Sequence, residues 1–193
     1  MGNEQSNRSR EISRWSRLPD KEMIAALVRS RAQPSPELLA RLVRHVAQAG
    51  FDPGKLERAT DELEGLAWRA MALRRGDRIP SADRHYLKHV GVHQEWPVGT
   101  TLQEYLETAR RVVLHSEAGI MASLFGGTWR LSFLLEAPVV GAHHGSAWVV
   151  VEYQVALGHW WSVYRPWNGP AQLVQDKRRE EVRWLRRLVS SAT

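Results

Sequence analysis

Two histidines four residues apart, His85 and His89, stand beside Lys88 in the segment Asp83-Arg-His-Tyr-Leu-Lys-His-Val-Gly91. A spacing of four puts both imidazoles on one face of a helix, one turn apart. Imidazole titrates near neutrality, so such a pair can shuttle protons or hold a metal ion. The plainer alternative is the polar face of a surface helix. A metal site needs a third ligand, which His93 or His115 would supply, although no recognised zinc spacing is present. Lys88 adds a fixed positive charge suited to a phosphate.

A second group lies on a late strand, His159-Trp-Trp-Ser-Val-Tyr-Arg165. Strict alternation points Trp160, Ser162 and Tyr164 to one face and His159, Trp161, Val163 and Arg165 to the other. A helix packed on the first face brings His89 near Ser162 and Tyr164. That assembles a base, a hydroxyl, an aromatic ring and the Lys88 cation. RNA cleavage without a metal needs about this set. A base takes the 2′-hydroxyl proton, an acid protonates the leaving oxygen, and donors or cations steady the charged phosphorane. An aromatic surface holds an unstacked base. Each residue also has a structural reading. Ser162 can simply fill a strand position, Arg165 can pair with an acid such as Glu152, and Trp129, Trp148, Trp160 and Trp161 can pack a core. His143-His144 falls in a Gly-flanked loop that reads as solvent-exposed.

These residues need elements to position them. A helix is expected from about Asp20 to Arg31, with Met23, Ile24, Leu27 and Val28 inward. Ser35-Pro36-Glu37 starts a second helix, which Gly50 stops. Asp52-Pro53 repeats the start signal, and Leu56, Ala59, Leu63, Leu66, Ala67, Ala70 and Met71 extend a third helix toward Gly76. The second and third helices would form an antiparallel hairpin. Ser81 is placed to cap the short histidine helix, which Gly91 closes. Thr101-Leu-Gln-Glu104 is a capping box for a helix to about His115. Trp129, Leu131, Phe133 and Leu135 then alternate as a strand, after a Gly126-Gly127 turn that lacks the pattern of a phosphate loop. Ser146 to Val155 and His159 to Arg165 form a hairpin, and a charged helix closes the chain at 172–189. The expected class is α+β: an N-terminal helical hairpin, then helices on a small antiparallel sheet, then the closing helix. The expected division is a helical region 1–80, flexible over 1–18, and an α+β domain 81–193.

Composition narrows the function classes. The chain has 193 residues, no cysteine and a net charge of +6, with 27 Lys and Arg against 21 Asp and Glu. The missing cysteines exclude disulfides, thiolate metal sites and cysteine nucleophiles. The excess positive charge sits in the flanking segments, a weak signal for an anionic partner set against ordinary solvated helix faces. No apolar run approaches a membrane span, and Met1 to Arg17 has no apolar stretch of the secretory type. The expected location is the cytoplasm.

In order and type these pieces resemble the barnase–EndoU–colicin–RelE group of RNase domains, and within it the colicin D-like toxin domains and their phage-borne relatives. The residues that carry the resemblance are His85-Tyr-Leu-Lys88-His89, Glu104-Tyr105-Leu106 with Ala109, Trp148 to Tyr153, and Ser162-Val-Tyr164-Arg-Pro166. It covers about residues 83–168. The resemblance implies a metal-independent endoribonuclease of toxin or phage-effector type, without a cofactor. It implies His89 as acid/base, Lys88 on phosphate, Ser162 as hydrogen-bond donor and Tyr164 as stacking ring. His85 stands in for a second basic residue, and Trp160 and Arg165 are candidates for substrate contact. The partners implied are RNA and an inhibitor or immunity protein, with no membrane. The rival expectation is a non-catalytic helical adaptor that binds a protein or a nucleic acid.

Overall fold

The computed structural model describes residues 14–137 and 146–188. Helix α1 (Asp20–Arg29) buries Met23, Ile24, Leu27 and Val28, the stripe its spacing sets. Helix α2 (Pro36–Ala49) starts at Ser35, whose side chain accepts from the Leu38 N–H at 3.3 Å. It ends at Gly50, whose φ of 61° and ψ of −170° suit glycine almost alone. Trp15 is buried in the core, so the flexibility expected for 1–18 does not extend to it; residues 1–13 lie outside the described residues.

The third helix does not form. Asp52 spends its carboxylate on an Asx turn, accepting from the Gly54 N–H at 2.9 Å, and Gly65 turns left-handed at φ 81°. Strand β1 (Leu56–Arg58) instead pairs antiparallel with β4 (Arg78–Pro80). Between them lie a 3-10 turn at Asp61–Leu63 and a small hairpin of β2 (Ala67–Trp68) and β3 (Met71–Ala72). Its turn holds Arg69 and Ala70 at positive φ. Leu63, whose spacing suits a helix stripe, packs instead with Ala59, Leu73, Ile79 and Leu87 in a satellite cluster. The expected hairpin of helices is therefore replaced by α2 packed between α1 and a later helix.

Helix α3 (Ser81–Tyr86) begins at Ser81 rather than being capped by it, and Ser81 Oγ donates to Glu57 Oε1 at 2.5 Å. The helix passes Gly91 in a π turn over Leu87–Val92, with the His93 N–H bonded to the Lys88 carbonyl at 2.9 Å. Helix α4 (Leu102–Leu114) opens on the full Thr101/Glu104 capping box. Tyr105, fully buried, donates its hydroxyl to the Val163 carbonyl at 2.6 Å.

The main sheet is antiparallel, in the order β8-β7-β6-β5-β9. Its strands are β5 (Gly119–Phe125), β6 (Thr128–Glu136), β7 (Trp148–Gln154), β8 (His159–Tyr164) and β9 (Arg179–Arg186). The closing helix expected at 172–189 is short helix α5 (Pro170–Gln175) followed by β9. Bulges against β5 and a left-handed Glu181 break the two-residue period of β9, so its charged run reads like a helix. Charge also suits an edge strand, which must avoid pairing with other chains.

One buried cluster draws on Trp15, α1, α2, α4 and the sheet through Leu185, so elements on both sides of residue 80 share it. The opposite sheet face packs Met121, Leu134 and Val150 against Leu173 of α5. The α+β class holds. Among the described residues no helix is long and apolar enough to cross a membrane.

Candidate active site at the sheet edge

Strand β8 is an edge strand, which leaves its flank open to α3. A bulge decides what it presents. Glu152 pairs with Ser162 but Tyr153 pairs with Trp160, leaving Trp161 as the extra residue. The inserted residue flips Trp160 away from Ser162. Trp160 is buried, donates Nε1–H to the Val46 carbonyl at 2.8 Å and meets Phe51 edge-on. It is a core residue, not a substrate contact as expected. Trp161 and Ser162 remain half-buried on the outer side.

His85, His89 and His93 form a column on α3 and its π turn. The His85 and His89 rings stack at 6.1 Å, 7° apart, and His89 meets His93 edge-on at 5.5 Å. Ser162 Oγ faces this column. It lies 3.5 Å from His89 Nε2 and 3.5 Å from His85 Nδ1. Both contacts are longer than a formed hydrogen bond, as catalytic contacts without substrate often are. The ring of Tyr164 stacks on His89 at 6.0 Å.

Glu95 lies behind His89. Both its carboxylate oxygens are 3.1 Å from His89 Nδ1. A carboxylate only accepts, so in the neutral ring the hydrogen sits on Nδ1 and Nε2 turns its lone pair toward Ser162. Glu95 is itself fixed by the Arg165 backbone N–H, which donates to Oε2 at 2.7 Å. The Arg165 guanidinium donates to the Glu95 carbonyl at 2.8 Å. Arg165 is therefore a buried support of Glu95, not the exposed side chain expected of a substrate contact, and the described partners of Glu152 are Arg130, Arg179 and Tyr164.

His85 is held neutral. Burial, and then the neighbouring His89, push its pKa down to about 3 against the pull of Glu57. Glu57 lies 3.9 Å from His85 Nε2. Ser162 is thus backed by two imidazoles, each with a carboxylate on its far side.

A cavity of about 220 Å³ opens in front of Ser162, walled by Tyr164, Trp161, Phe125, Arg130, Arg178 and Arg179. Glu152 anchors its floor. Arg130 donates to Glu152 Oε2 at 3.0 Å, Arg179 pairs with Oε1, and the Tyr164 hydroxyl donates to Oε1 at 3.2 Å. Burial and Glu152 hold the Tyr164 phenol well above its usual pKa, so it stays protonated. Arg130 lies over Phe125 and Trp161, at 4.1 and 4.8 Å from their ring centres. Arg178 is exposed and paired with Asp176. The histidines do not line this cavity. They reach it through Ser162 and Tyr164.

His85, His89, Ser162 and Tyr164 are thus brought together as the spacing predicts. Lys88 is not. Its Nζ pairs with Glu62 at 3.2 Å, away from Ser162, because the π turn gives the Ser162-facing column to the histidines. His115 is exposed and accepts from the Glu117 N–H at 3.2 Å, so it joins no cluster. His93 does: its Nδ1 lies 3.2 Å from Glu95 Oε1. His89, His93 and Glu95 are the described residues able to hold a metal ion together. Glu95, Glu152, Arg130 and Arg179 are parts of this candidate site that sequence spacing misses. His143-His144 lies outside the described residues. The chain matches no family model, and neither the curated proteins nor the solved structures compared with it give a significant match.

Proposed function

We propose that this protein cleaves RNA without a metal, at the Ser162–His89–Glu95 line. One observation carries the reading: Ser162 Oγ lies 3.5 Å from a ring nitrogen of each of two buried imidazoles on one side and faces an arginine- and aromatic-walled cavity on the other. In this reading Arg130, Arg178 and Arg179 take the scissile phosphate, and Trp161 or Phe125 takes an unstacked base. The 2′-hydroxyl gives its proton to Ser162 Oγ as Ser162 gives its own to His89 Nε2. The 2′-oxygen attacks phosphorus, and the 5′-oxygen leaves and takes a proton back along the same line. The products are a 2′,3′-cyclic phosphate and a 5′-hydroxyl. Glu95 fixes the tautomer and steadies the imidazolium between the two transfers. The resemblance of residues 83–168 to toxin RNase domains supports the same reading, with an inhibitor or immunity protein as the partner that would cover the cavity.

A second reading rests on the order Glu95, His89, Ser162, which is that of a serine nucleophile with its base and orienting acid. The arginine and aromatic walls favour a nucleotide over an acyl substrate. The test is cleavage of single-stranded RNA in EDTA. Ser162→Ala and His89→Gln should each lower the rate by roughly 10²- to 10⁴-fold, and 2′-O-methyl RNA should resist. Covalent labelling of Ser162 by a fluorophosphonate with no RNA cleaved would favour the nucleophile. A folded protein that does neither would be a binding module.

A further inference from the structure

We infer that His89, His93 and Glu95 form a site for a zinc-class divalent transition ion, and that an ion bound there disables His89 as the base for Ser162. The site itself is independent of the RNA-cleaving reading; the loss of cleavage rests on it.

The spacing of donor atoms supports the site. His89 Nδ1 lies 3.1 Å from the Glu95 oxygens, and His93 Nδ1 lies 3.2 Å from Glu95 Oε1. The three ligand atoms all lie within 4.8 Å of one another. Ligand bonds of about 2.0–2.1 Å in a tetrahedron put neighbouring donors roughly 3.3–3.4 Å apart. The two histidine–carboxylate separations are therefore within a few tenths of an ångström of that value, and rotation of the half-exposed His93 ring brings its nitrogen to the same ion. Two imidazoles and one carboxylate suit zinc and its neighbours better than magnesium or calcium.

The backbone is bent to make the cluster. The π turn sets His89 and His93 on one column, and Gln94, between His93 and Glu95, adopts φ 50°. A non-glycine residue there costs free energy, and such strain gathers at functional positions. Its effect is to fold Glu95 back under His89, with the Glu95 N–H bonded to the His89 carbonyl at 2.9 Å. Outer partners are also in place. Glu62 lies 3.6 Å from His93 Nε2, and the Arg165 N–H holds Glu95 Oε2. Carboxylate and backbone partners of this kind orient metal ligands. His89 and Glu95 are buried while His93 is half-exposed, so the fourth position opens toward solvent on the His93 side.

The consequence follows from imidazole chemistry. Neutral His89 has one N–H, now on Nδ1 against Glu95. An ion on Nδ1 needs that lone pair, so the hydrogen moves to Nε2. Nε2 then faces Ser162 as a donor and cannot accept its proton. No proton is gained or lost by the ring, and only the tautomer changes.

Zinc chloride titrated into the full chain tests both parts, read by calorimetry and by imidazole 15N NMR. The expected result is one ion per chain, a His89 change from Nδ1–H to Nε2–H at one equivalent, and binding at least about tenfold weaker in His93→Ala. RNA cleavage should fall with the same midpoint. Absence of stoichiometric binding, or equal affinity in His93→Ala, overturns the site. Binding with His89 still Nδ1–H, or zinc that speeds cleavage, overturns the disabling of the base. A chain that cleaves no RNA but binds zinc and switches tautomer upholds the site and its effect on His89, and defeats the proposed function instead.

Discussion

Glu95 and Ser162 lie on opposite sides of one imidazole, at 3.1 Å from Nδ1 and 3.5 Å from Nε2 of His89. One residue comes from a loop six positions past His89, and the other from an edge strand. In the proposed reaction Nε2 takes the Ser162 proton and returns it, which requires that Glu95 keep the ring's own hydrogen on Nδ1.

Glu95→Gln tests that dependence. Glutamine keeps an acceptor for the Arg165 N–H, so the fold should survive. Its amide can present N–H to Nδ1 and favour the wrong tautomer. Under the proposed reaction kcat falls by roughly 10²- to 10⁴-fold with KM little changed. Steady-state kinetics on a short RNA, with circular dichroism as the fold control, measure it. An unchanged kcat would remove Glu95 from the mechanism.

Lys88→Ala separates the observed site from the one its sequence position suggests. Lys88 pairs with Glu62 and does not face Ser162. A half-exposed pair of this kind contributes at most about 1 kcal/mol. Cleavage should stay within about twofold of wild type, and the melting temperature should drop by no more than a few degrees. A tenfold loss of kcat/KM would return Lys88 to the phosphate.

How far the site is legible in sequence depends on what fixes each residue. His85 and His89 are legible because a spacing of four sets one helix face in any regular helix. Ser162 and Tyr164 are legible because strand alternation holds between them. Trp160 is not, since the bulge at Trp161 inserts one residue into a Val-, Trp- and Tyr-rich run that carries no mark of it. Glu95 depends on a π turn and a left-handed Gln94, neither of which has a sequence signature. Arg130 and Arg179 meet Glu152 only because β6, β7 and β9 are assembled in one sheet. The two failed helices share a cause. The apolar spacing from Leu56 to Met71 and the charged run of β9 fit a helical period locally, while tertiary pairing decides otherwise.

Trp160→Phe should cost stability and spare catalysis. The change removes part of a buried ring and leaves the Val46 carbonyl without its Nε1–H donor. Together these cost roughly 1–3 kcal/mol. Urea unfolding measures the loss. The KM for RNA should be unchanged, whereas a substrate contact would raise it.

His85 makes stability fall in acid. Its pKa is about 3 in the folded chain against 6.5 for a free imidazole. Above 6.5 the ring is neutral in both states and exacts no penalty. Between 6.5 and 3 the unfolded chain takes up a proton that the folded chain refuses. Stability contributed by neutral His85 is therefore complete above 6.5 and lost progressively as pH falls toward 3. For one group the slope is at most about 1.4 kcal/mol per pH unit. Urea unfolding at pH 7, 5.5 and 4.5 should show this decline in wild type. His85→Asn lacks the titrating ring, so its decline should be shallower by up to that slope. Parallel curves for the two proteins would mean that His85 charges freely in the folded state. Its stacked position between Phe51 and His89 would then not exclude the proton.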